Sequence, residues 1–170
     1  MNTKVSLICS LYRNYLSKLF VAQSDRNGLS FLTTINNATR YFTQESQDQS
    51  YYNVSYEEMK EITRDKSKKV LLIDVREPEE LSETGVLPSS INIPCKYWGS
   101  VEDALKNMSN KDFLKVYGRE KPDKNFPIIF SCKLGKRSAT ACGISQQLGF
   151  KNVKNYLGGW QEWEERNQNK

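Results

Sequence analysis

A chain of 170 residues with 26% charged and 38% hydrophobic side chains has the make-up of a protein that folds around one core, with length left over for an extension. No apolar run approaches the roughly 18 residues that a membrane-spanning helix needs, and a net charge of +5 interleaved with acids falls short of the basic stripe of a nucleic-acid binder. Histidine is absent, which excludes any Ser-His-Asp or Cys-His pair and any imidazole base.

Residues 1 to about 45 are basic, hydroxyl-rich and poor in acids: before Glu45, Lys4, Arg13, Lys18, Arg26 and Arg40 stand against Asp25 alone. Ile8, Leu11, Tyr12, Tyr15, Leu19 and Phe20 recur at loosely helical spacing, so the segment is expected to be a mitochondrial transit peptide, processed near Arg40-Tyr41-Phe42-Thr43. A disordered tail on a cytoplasmic protein is the other reading. The polar run Gln44 to Ser50 follows, dividing an extension over 1–50 from a folded domain over 51–170.

Ser55-Tyr56-Glu57-Glu58 is a capping box, and it predicts a helix over Tyr56 to Arg64 with Met59 and Ile62 inward. Lys69 to Val75 is a branched apolar run without alternation, the pattern of a strand buried on both faces of a parallel sheet. Asp74 and Arg76 close it, where α/β sheets place their ligand crevices; Asp74 is expected to fix the loop by accepting backbone N–H bonds. A short helix from Pro78, a strand over Ser90 to Pro94, and helices over Ser100 to Leu105 and Ser109 to Tyr117 come next. Pro127 to Phe130 and Val153 to Leu157 complete four expected strands, alternating with a helix over Ala139 to Leu148 and a last helix carrying Trp160 and Trp163. In the first of these two helices Ala139, Cys142, Ile144 and Leu148 are assigned to the sheet.

Phe130-Ser131-Cys132-Lys133-Leu134-Gly135-Lys136-Arg137-Ser138 joins a strand end to a helix start. The N–H groups of such a turn lack intrahelical partners, and the helix dipole adds positive charge there. Lys133, Lys136 and Arg137 place three cations in the same turn, Gly135 permits a left-handed backbone, and together these favour a thiolate at Cys132. Cys95 and Cys142 are assigned to packing, with Cys95 also a candidate redox partner; no C-x-x-C pair joins the four cysteines, so neither metal nor cofactor is expected.

Four separated features resemble the single-domain rhodanese-like sulfurtransferases: Leu72-Ile73-Asp74-Val75-Arg76-Glu77-Pro78-Glu79-Glu80, Ile91-Asn92-Ile93-Pro94, the cysteine loop, and Leu157-Gly158-Gly159-Trp160 with Trp163. The resemblance covers about residues 53–166 and implies an α/β rhodanese-like domain, a small, mostly parallel sheet with helices on both faces. It implies a Cys132 persulfide formed from thiosulfate or a similar anionic donor and passed to glutathione, another thiol or cyanide. Lys133, Leu134, Gly135, Lys136, Arg137 and Ser138 would bind the donor, with Asp74 and Arg76 in support and the protein acting as a monomer. Val86-Leu87-Pro88-Ser89 departs from the His-Ile-Pro-Gly of many relatives. Two other readings are a relay that hands the sulfur to a partner protein and a phosphatase or arsenate reductase of the same fold. The Cys132–Arg137 spacing is one residue short of the phosphatase loop.

Overall fold

The computed structural model describes residues 52–95 and 100–168. The expected transit peptide, its processing site and Cys9 lie outside these residues. Five strands, β1 (Tyr52–Val54), β2 (Leu71–Asp74), β3 (Ile91–Asn92), β4 (Ile128–Ser131) and β5 (Val153–Tyr156), form one sheet in the order β1-β5-β4-β2-β3, with every pair parallel. Both central strands, β2 and β4, are buried along their whole length. Their unbroken apolar runs follow from that placement, since a strand covered on both faces has no solvent side to make polar.

Among the described residues six α-helices lie between and after the strands: α1 (Tyr56–Arg64), α2 (Pro78–Thr84), α3 (Ser100–Glu102), α4 (Asn110–Tyr117), α5 (Lys136–Gln147) and α6 (Gly159–Gln168). The capping box at α1 is complete: Ser55 Oγ accepts from the Glu58 N–H at 3.3 Å and Glu58 accepts from the Ser55 N–H at 2.8 Å. Such a cap contributes about 1 kcal/mol. On one face of the sheet Met59 of α1 and Trp160 of α6 pack with Val54, Leu72, Leu87, Ile129 and Tyr156. Leu71, Ile73, Ile128 and Phe130 alternate onto the other face, where α5 lies against β4 and β5 and α3 against α5. Helices thus cover both faces, as the α/β reading requires.

Besides the shortening of the expected Ser90 to Pro94 strand to Ile91–Asn92, the structure departs from the sequence expectations in four places. A fifth strand, β1, pairs with β5 at the sheet edge; at three residues it is too short to carry a period-2 signal. The 69–75 strand contracts to Leu71–Asp74. The expected helix after Ser100 is three α-helical residues followed by a π-helical turn, Asp103–Asn107, whose end is marked by the Met108 N–H donating to the Asp103 carbonyl at 2.9 Å.

The fourth departure bears on the site. Helix α5 begins three residues earlier than its apolar pattern, at Lys136, and buries Ser138, Ala141, Cys142 and Ser145. Ala139, Ile144 and Leu148 are only half-buried. Small side chains fill the inner stripe, so the helix face nearest the sheet is not its most hydrophobic one, and a hydrophobicity pattern selects the wrong side.

Candidate active site

Ser131 is the last residue of β4, and the loop after it closes before α5 begins at Lys136. Gly135 is the N-cap of α5 with φ of 76°, a left-handed conformation, and a Cβ there would be driven into the Leu157 carbonyl. Both constraints call for glycine. The Ala139 N–H bonds back to the Gly135 carbonyl at 3.1 Å, whereas among the described residues no backbone carbonyl accepts from the N–H groups of residues 133–138. Those six donors, the positive end of α5, and the exposed side chains of Lys133 and Lys136 make the loop a receptor for negative charge.

Cys132 lies at the floor of this loop and is 1% exposed. Its Sγ accepts a hydrogen bond from the Ser138 hydroxyl at 3.4 Å. The two residues that follow Cys132 face solvent: Lys133 is exposed and Leu134 is 51% exposed. Of the residues read from the sequence as donor-binding, the structure therefore gives Ser138 a side-chain contact with the sulfur and leaves the Leu134 side chain in solvent.

Arg137 points elsewhere. Its guanidinium grips Glu80 of α2 through both terminal nitrogens, at 2.6 and 2.7 Å, and its positive charge also bears on the Cys95 thiol. Glu80 accepts in addition from the Glu77 N–H at 2.9 Å. The Arg137 hydrogen bonds hold the Glu80 carboxyl down at about 2, and Glu80 in turn raises the pKa of Arg137. Burial pushes the Cys95 thiol up while Arg137 works against that rise. Glu80 and the approach of Cys95 were not legible in the sequence: residues 57 apart meet only through the fold.

Asp74 and Arg76 form a buried pair, each 1% exposed or less. Asp74 accepts from the Arg76 backbone N–H at 3.0 Å, the expected loop-fixing bond, and from the guanidinium at 2.8 to 3.1 Å. Burial pushes the Asp74 carboxyl up and the Arg76 hydrogen bonds oppose it. The rest of the guanidinium donates to Thr84 Oγ1 at 2.9 Å and the Gly85 carbonyl at 3.0 Å, and stacks on Trp160 with 4.5 Å to the ring centroid. Helix α2 has no basic residue in its last turn, so Arg76 supplies the cation and the donors that its C-terminus lacks. These two residues bear on the loop through the frame: the Val75 N–H between them donates to the Ser131 carbonyl at 2.8 Å, and the Val75 carbonyl accepts from the Cys95 N–H at 3.2 Å.

Cys142 donates to the Lys154 carbonyl at 3.4 Å, and burial raises its thiol well above the ordinary range, which keeps it a packing residue. Among the described residues no group of His, Cys, Asp and Glu could hold a metal ion.

A family profile described as "Rhodanese-like domain" matches residues 55–166. A rhodanese domain-containing protein of Drosophila melanogaster is 42% identical over 112 residues, covering 66% of this chain and 96% of the relative. The thiosulfate:glutathione sulfurtransferase of Saccharomyces cerevisiae is 36% identical over 122 residues, covering 70% and 84%. A mitochondrial thiosulfate sulfurtransferase of the same yeast, RDL2, is 33% identical over 109 residues, covering 64% and 70%. Its crystal structure, a single-domain sulfurtransferase, superposes with a TM-score of 0.59 over 71% of this chain and 94% of that one, at 30% identity.

Proposed function

The chain belongs to the rhodanese-like domain family, and from that premise we propose that it is a thiosulfate sulfurtransferase whose sulfur carrier is Cys132. The Cys132 thiolate attacks the outer sulfur of thiosulfate. A new S–S bond forms, the bond within the donor breaks, and sulfite leaves with the electron pair. A thiolate acceptor then attacks the terminal sulfur of the persulfide, takes it, and returns Cys132 as thiolate. One displacement becomes two, so ping-pong kinetics are expected.

The observation that carries this reading is the loop that leads from Cys132 into α5, where no backbone carbonyl among the described residues accepts from the N–H groups of residues 133–138 and the Ser138 hydroxyl bonds the sulfur. They can stabilise the anionic sulfur both as thiolate and as persulfide without any imidazole. Lys133 and Lys136, exposed at the mouth, draw in the dianionic donor. Arg137 meets the donor with the N–H groups that Glu80 leaves over. Asp74 and Arg76 hold the strand end that carries the loop.

The acceptor is a small thiol such as glutathione, the substrate in the name of the yeast relative, and the protein acts as a monomer. Residues 1–50 direct it to mitochondria, in keeping with the mitochondrial name of RDL2. Treating the full chain with thiosulfate and weighing it intact tests the carrier. One sulfur atom is gained, it maps to Cys132, and Cys132→Ser neither gains it nor turns over thiosulfate. Turnover by Cys132→Ser within tenfold of the parent would remove this cysteine from the chemistry.

A further inference from the structure

The turn between β5 and α6 touches the loop backbone to backbone. The Trp160 N–H donates to the carbonyl of Cys132 at 2.8 Å, and the Gln161 N–H donates to the carbonyl of Lys133 at 3.1 Å. Between them and β5, Gly159 has φ of 60°, and a Cβ on it would stand 2.5 Å from the Cys132 oxygen and 2.6 Å from the Lys133 oxygen. Only glycine allows that approach. In a trans peptide the C=O and the next N–H point in opposite directions. Two carbonyls drawn toward α6 therefore turn the N–H groups of Lys133 and Leu134 away from it.

We propose that Gly159, with the first N–H groups of α6, is a positioning element of sulfur transfer: by holding the Cys132 and Lys133 carbonyls it aims the Lys133 and Leu134 N–H groups at the sulfur. This rests on Cys132 being the carrier. Free carbonyls could rotate, and each rotation would replace an N–H beside the anionic sulfur with a carbonyl oxygen, exchanging attraction for repulsion. Gly159 acts through the loop and touches neither donor nor sulfur.

The test compares Gly159→Ala and Gln161→Pro with the parent full-length chain. Gln161→Pro deletes one of the two donors in the first turn of α6, where proline is tolerated, so the fold stands even if the alanine variant is unstable. Gly118→Ala is the control: Gly118 is also left-handed, with φ of 66°, but a Cβ there meets nothing within 4 Å, so it brings backbone strain without touching the loop. Two quantities are read, the pH profile of Cys132 alkylation by iodoacetamide and thiosulfate kcat and KM. Both site variants are expected to move the alkylation midpoint up by about one pH unit and to lower kcat about tenfold or more, with Gly118→Ala at parent values. An unmoved midpoint in Gln161→Pro, or an equal rise in Gly118→Ala, would overturn the proposal. The carrier has its own test: if the midpoint rises in the site variants while Cys132→Ser still turns over thiosulfate, the positioning effect stands and the sulfurtransferase role of that cysteine does not.

Discussion

Arg137 joins the loop to α2, because both terminal nitrogens of its guanidinium are already engaged by Glu80 before any donor arrives. A carboxylate held at about 2 in the folded chain, against an ordinary value of 4.5, makes acid stability depend on this pair. The folded state binds this proton less readily than the unfolded chain, so the contribution is complete above about pH 4.5 and is lost as pH falls toward 2. Both partners are partly exposed, so solvent screening limits the effect to about 1 kcal/mol. Urea unfolding measured from pH 5 down to pH 2.5 should therefore show a shallower loss of stability for Glu80→Gln than for the parent; parallel curves would mean that the pair contributes nothing. The sequence pointed to Arg137 by its nearness to Cys132, and nothing local could identify Glu80 as its partner. Ser138 is the converse case. It was read as a source of an N–H group, and the helix register adds its hydroxyl, which reaches the sulfur at 3.4 Å.

Among the elements, β2, α2 and α6 converge on one buried side chain. Arg76 pairs with Asp74, closes the last turn of α2 through Thr84 and Gly85, and lies on Trp160. Removing one partner of a buried, hydrogen-bonded pair leaves an uncompensated charge, and here it also opens a space beneath an indole. Arg76→Ala should lower the unfolding free energy by about 3 to 5 kcal/mol, measured by urea denaturation, and a loss below about 1 kcal/mol would show that the Asp74 charge finds other partners. Element identity was well marked wherever a local cause fixes it. Ser55 and Glu58 cap α1 as expected, and Ser109 caps α4, which Gly118 ends in the left-handed region. Helix α5 is the counterexample. Its start is set by Gly135 and its inner stripe by how closely Ser138, Ala141 and Ser145 let it approach the sheet, and neither cause leaves a hydrophobic period.

For the molecule as a whole, a parallel sheet gathers the loops at the carboxyl ends of its strands, and that is how residues far apart in sequence meet Cys132. The loop after β4 brings the sulfur, the turn after β5 brings the N–H groups of α6, and the segments after β2 and β3 bring Glu80 and Cys95 beside Arg137. Fused to a fluorescent reporter, residues 1–45 should carry it into mitochondria, and a diffuse cytosolic signal would reassign the segment as a tail. By itself the sequence determined the α/β class, the strand-to-helix turn at Cys132, the helix caps and the lack of any imidazole base. Each of these follows from residue type and spacing within a few positions. Only the tertiary structure decided that Glu80 holds Arg137, that Arg76 closes α2, that β1 adds a fifth strand, and that Gly159 lies against the loop carbonyls. Those arrangements rest on contacts between distant segments, which no local pattern encodes.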